Sequence, residues 1–176
     1  MACNITAGIG RPDCPGETPG AYDTIYLYNR SRVTFTVAGD DSVEQVNFQG
    51  AEGFYQVVAK KGSVVGSEEL QAASGVTSYT HKLVFSLADL SIEARNFVND
   101  LNGAQLGAIV RTKGDKFLLY GYNEGMAMTG NTMSTEVDAL GETITLSEEM
   151  VNEKTRRFWD TDLATTIAAI TPIVAS

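Results

Sequence analysis

The sequence is poor in the side chains that carry most chemistry. Among 176 residues it has one histidine, His81, two cysteines, one tryptophan and four prolines. A single histidine leaves little material for a nucleophile–base–acid constellation or a histidine-rich metal centre. Cys3 and Cys14 have ten residues between them, which is neither a zinc spacing nor a redox CxxC. A reducing compartment keeps such thiols free, an extracellular particle allows a late disulfide, and both readings stay open. Positive charge is scarce too. Thirteen Lys and Arg against 22 Asp and Glu leave a net charge of -9, the wrong balance for gripping nucleic acid through its phosphates. The most apolar run, residues 163–175, is broken by threonines and Pro172 and is too short to cross a bilayer. Residues 1–20 lack the basic start and apolar stretch of a secretory leader. The expectation is a chain made and kept in a cytoplasm, with no membrane partner.

Catalytic motifs are missing as well. No GxSxG elbow, HExxH helix, phosphate loop or EF-hand loop occurs. Gly8-Ile9-Gly10 has no strand before it and no helix after it, so it is no dinucleotide fingerprint. Two carboxylate pairs, Glu68-Glu69 and Glu148-Glu149, invite a metal or hydrolase reading. Adjacent strand residues point to opposite faces, so neither pair should converge on one site, and solvated charge is the expectation. Asp40-Asp41 reads as an ordinary turn, and His81, mid-strand beside Tyr79 and Leu83, as a structural or surface histidine. Arg156-Arg157 next to Phe158-Trp159 reads as an aromatic pair closing a core edge with its arginines paired to acids, not as a base-stacking site. The sequence therefore predicts no enzyme and no catalytic, cofactor or metal residue. The scattered acids fit a solvated surface, or a wall past which DNA slides without sticking.

What the chain does have is strand pattern. Residues 1–22, rich in Gly, Pro and Cys, read as an irregular arm, either packed on a neighbour or a free tail. Strands are predicted over 24–29, 33–37, 43–48 and 54–60 from β-branched and aromatic residues between turn signals. Residues 64–70 and 77–87 read as arms of a long hairpin turning at 72–75. Tyr79, His81, Leu83 and Phe85 lie on one face of the second arm, and Thr80, Lys82, Val84 and Ser86 on a wetter one. One helix is predicted from Leu90, Ala94, Phe97, Val98 and Leu101, capped by Asp89 or Ser91 and stopped at Asn102-Gly103. Further strands follow over 105–112, 116–122, 126–128 and 142–150, with 129–140 as a loop and 156–159 as a short edge piece. A short helix over 162–170 precedes Pro172. The predicted fold is mainly β: a sandwich or barrel of eight to ten antiparallel strands with one packed helix. It occupies one domain, residues 23–160, followed by a C-terminal segment, 161–176.

Four stretches carry a family resemblance: MACNITAG with Cys14; Thr24-Ile-Tyr-Leu-Tyr-Asn29; LADLSIEARNFVNDL; and Lys116-Phe-Leu-Leu-Tyr-Gly-Tyr-Asn-Glu-Gly125 with Ala139-Leu-Gly-Glu-Thr-Ile-Thr-Leu-Ser-Glu-Glu149. Over most of residues 1–160 the chain resembles the tail tube (major tail) proteins of bacteriophages of Bacteroidetes-type hosts. The resemblance implies a virion protein forming stacked hexameric rings, whose inner sheets join into one barrel around a DNA-conducting channel, with the helix outside. The implied partners are other copies, other tail proteins and DNA that passes without specific binding. Residues 77–87 and 105–122, read as long strands with one wetter face, are the implied lumen strands, and 57–75 the implied stacking hairpin. Other readings are a tail terminator, connector or decoration protein, the inner tube of a contractile injection system, and a small β-barrel module binding a ligand or glycan.

Overall fold

A computed structural model describes residues 20–40, 42–73, 76–88, 90–136, 140–152 and 154–170. The arm over 1–19, both cysteines, Asp41, the predicted turn at 74–75, Asp89 and the end of the chain after 170 lie outside the described residues. Among the described residues, eleven strands form two sheets. They are β1 (Ala21–Asn29), β2 (Val33–Val37), β3 (Val43–Phe48), β4 (Tyr55–Val58), β5 (Val65–Ala73), β6 (Val76–Leu87), β7 (Leu106–Thr112), β8 (Phe117–Tyr120), β9 (Ala127–Ser134), β10 (Gly141–Val151) and β11 (Arg156–Phe158). Helix α1 (Ile92–Leu101) joins β6 to β7, and α2 (Leu163–Ala169) follows β11. The mainly-β expectation holds in its sandwich form, not as a closed barrel. The strand begins at Ala21, so the last residues of the predicted arm belong to β1.

The large sheet runs β2-β3-β11-β8-β7-β1-β4 and the small one β5-β6-β10-β9. Alternation explains how they pack. Leu83, Phe85 and Leu87 of β6 and Ile144 and Leu146 of β10 face inward, against Ile25, Leu27, Ala108 and Val110 of the large sheet. Each such side chain, fully buried, contributes about 1.5–3 kcal/mol. A second core lies where the large sheet rolls over. Strands β1 and β2 stand five places apart in that sheet, yet a single 3-10 turn, Arg30–Arg32, joins them. Tyr28 of β1 meets Phe35 of β2 edge to face, with ring centroids 6.1 Å apart. Phe54, Ile109, Phe117, Leu119 and Phe158 fill the same core.

Helix α1 buries Val98 and Leu101 and packs Ala94 and Phe97 on the inter-sheet core, the predicted stripe. Ser91 is its N-cap, its hydroxyl accepting from the Ala94 N–H at 3.2 Å, and Gly103 takes the left-handed turn after the helix at φ +82°. The short C-terminal helix is α2, capped by Asp162, whose carboxylate accepts from the Thr165 N–H at 2.8 Å. The buried Ile170 at its C-cap closes the second core, so the short helix expected over 162–170 packs on the domain beside the one helix expected to pack there.

Four expectations need correction. Residues 156–158 are interior, with β11 antiparallel to β8 and parallel to β3, so one pair in the fold is parallel. Half of the predicted loop at 129–140, residues 129–134, is strand. Strand β9 runs to Ser134, and its polar residues escape notice because it is an edge strand with one neighbour. Residues 105–122 have no wet face. Leu106 to Val110 are buried in succession, because β7 lies between β1 and β8 with a core on each side. Residues 57–75 are not one hairpin: β4 pairs with β1 in the large sheet, and the long hairpin is β5 with β6.

Candidate functional site

The small sheet has two unlike faces. From His81 to Leu87 the odd-numbered residues of β6 are buried against the core and the even-numbered ones face away, as the wetter face of 77–87 required. Register carries this across the sheet: Glu69 lies opposite Thr80, Ser67 opposite Lys82, and Lys82 opposite Ser147. The outer face is an open concavity of Ser and Thr hydroxyls with Glu69, Lys82 and Glu149 among them. Cross-strand hydroxyl pairs tie it together, Ser86 with Thr143 at 2.8 Å and Ser147 donating to Thr129 at 3.0 Å. Among the described residues the sheet ends on two free edges, β5 and β9, nine and eight residues long. The β5 end of the hairpin overhangs the core, leaving Leu70 60% exposed.

Three of the residues weighed in sequence come together on the inner face, which the expectation of solvated pairs missed. His81 is 2% exposed and Glu148 6%. Their nearest atoms, His81 Nδ1 and Glu148 Oε2, are 3.8 Å apart, and on the other side His81 Nε2 is 3.7 Å from Glu68 Oε2. So each glutamate pair does split between faces, but its inward members converge on the histidine. Burial raises the Glu148 carboxyl's affinity for a proton. His81 beside it and the N–H groups of Glu124 and Gly125, donating at 2.7 and 3.1 Å, outweigh that and hold it below the ordinary carboxylate range. Glu68 accepts from the Thr155 N–H. Tyr120 of β8 meets the imidazole edge to face at 6.4 Å, and burial followed by the Glu68 charge pushes its hydroxyl upward. Parity was the available signal, since Glu148 shares a face with Ile144 and Leu146, and His81 with Leu83 and Phe85.

The remaining features are structural. Asp40 turns the chain by accepting from the Ser42 N–H and hydroxyl, at 3.1 and 2.6 Å. Those bonds hold its carboxyl low. Phe158 is fully buried, Arg156 stacks on Tyr122 at 4.3 Å, and Arg157 on Trp159 at 4.7 Å. No group of three or more His, Cys, Asp or Glu among the described residues is arranged to hold a metal ion. No helix among them is long and apolar enough to cross a membrane. No family model, no curated protein and no solved structure matches the chain.

Proposed function

We propose that the chain is a tail tube protein, assembling through the small sheet into stacked rings that conduct DNA. One observation carries the reading: a four-stranded sheet that is apolar inside and hydroxyl-rich outside, with both edges free among the described residues. A free edge is a template for another strand. Here β9 of one copy can pair with β5 of the next, and repetition around a rotation axis closes a ring. Six copies, the number the resemblance implies, give 6 × 4 = 24 strands. At ~4.8 Å spacing and ~40° tilt such a barrel is ~48 Å across its backbone. Subtracting ~5 Å of side chain per wall leaves a channel of roughly 38 Å, room for a duplex.

The wall suits a sliding polyanion. Ser and Thr hydroxyls offer weak contacts, and two glutamates against one lysine on the concave face leave no anion-gripping patch. The overhanging β5–β6 hairpin takes the role of reaching the next ring.

The test is the assembly state of the purified full chain across concentration and salt, read by light scattering and negative-stain microscopy. Rings or tubes roughly 80 Å across are expected, the ~48 Å barrel plus a second sheet layer ~10 Å out on each side and ~5 Å of its own side chains per wall. Monomers under every condition would overturn the reading.

A further inference from the structure

The Glu68–His81–Glu148 cluster joins three strands of the small sheet to two loops leading into the large one. Glu148 Oε1 is held by the loop between β8 and β9, through the N–H groups of Glu124 and Gly125. Glu68 Oε2 is held by the Thr155 N–H, just before β11. His81 of β6 sits between them, buried, with both ring nitrogens beyond hydrogen-bond distance of any partner.

The chemistry of the ring decides what this arrangement requires. A neutral imidazole has one N–H and one lone pair, so one of the two carboxylates would face the lone pair. The doubly protonated ring presents an N–H to each. Without a cation between them, two inward carboxylates repel. Among the described residues, the phenols Tyr120 and Tyr28 and the Arg30 guanidinium do not supply that cation. Tyr120 and Tyr28 are phenols that burial keeps protonated, and the Arg30 guanidinium near Tyr28 donates to the Tyr122 carbonyl at 2.7 Å and stacks on Phe35.

We infer that Glu68, His81 and Glu148 form a proton-held latch, fixing the β5–β6 hairpin to the two loops while the imidazole carries both protons and both carboxylates are ionised. Taking a proton from the ring, or adding one to either carboxylate, loosens the hairpin's hold on the two loops, while β6 stays paired with β10. The lowered position of the Glu148 carboxyl agrees with a carboxylate kept ionised inside the fold. The latch belongs to one copy and holds whether or not the chain assembles.

Because His81 is the chain's one histidine, ring nitrogen-15 spectra of the intact protein report on it without assignment. At about pH 7, where free imidazole is mostly neutral, the expected signal is a ring protonated on both nitrogens. Glu68→Gln should shift it toward the neutral form at the same pH. It should also speed amide exchange along β5 by about tenfold, the effect of one unsatisfied buried group. A neutral single tautomer in the unmodified protein overturns the latch, as does β5 exchange in Glu68→Gln that matches the unmodified chain. The spectrum needs no variant, so a folding failure of Glu68→Gln leaves the test intact.

Discussion

Glu148→Ala removes the most buried carboxylate of the small sheet, and its effect can be worked out group by group. The Glu124 and Gly125 N–H groups lose their acceptor, at about 1–3 kcal/mol for buried donors left unpaired. His81 loses the partner at its Nδ1, and breaking a buried charged pair on one side costs about 3–5 kcal/mol in all. Alanine should therefore destabilise by about 3–5 kcal/mol near neutral pH. Glutamine, which still offers an oxygen to the two donors, should destabilise by about 1–3 kcal/mol. The sign with pH follows from the lowered carboxyl. Its stabilisation is complete above the unfolded-state value and is lost as pH falls through the folded one. The stabilities of the unmodified protein and Glu148→Gln should thus draw together as pH falls from about 4.3, the ordinary Glu value, through the lower folded one. Urea unfolding followed by the fluorescence of Trp159, the single tryptophan, measures this as a midpoint shift at constant slope. A Glu148→Ala midpoint equal to that of the unmodified protein near neutral pH, or a Glu148→Gln gap of equal size in acid, would refute the reasoning.

Three further variants probe other parts of the fold and its assembly. A Cβ on Gly107 would overlap the Tyr28 ring, so Gly107→Ala should cost about 1–3 kcal/mol by overpacking. Calorimetry showing an unchanged Tm would contradict that packing. Phe158→Ala empties a fully buried position in the strand that joins β3 to β8, and denaturation should register a loss of about 3–5 kcal/mol; a loss under ~1 kcal/mol would mean that β11 is peripheral after all. Glu69→Lys with Gln71→Lys places cations on the outer face of the free edge strand β5. The single copy should keep its stability within ~0.5 kcal/mol while assembly is suppressed, and scattering that matches the unmodified protein would argue against β5 as the joining edge.

Much of the fold was legible because its signals are local. Val33–Val37 alternates, and Ser91 with the Leu90, Ala94, Phe97, Val98, Leu101 stripe marks α1. What was hidden depends on partners distant in sequence. Strand β9 reads as a loop because Gly130 and Asn131 carry little strand preference, and only pairing with β10 orders them. The wet-face expectation failed for β7 because LGAIV is a continuous apolar run, the mark of a strand covered on both sides. The cluster was half legible. Parity alone turns His81 and Glu148 inward, but bringing Glu68 to the same point requires the β5–β6 register, which local sequence leaves undetermined.

An image reconstruction of the assembled protein tests the central claim most directly. The account predicts rings in which the Thr80, Lys82 and Thr145 face of every small sheet lines the axial channel. Strand β9 of one copy should then lie beside β5 of the next at the ~4.8 Å spacing of paired strands. Copies joined through α1 or the large sheet, with the hydroxyl-rich face turned outward, would contradict it.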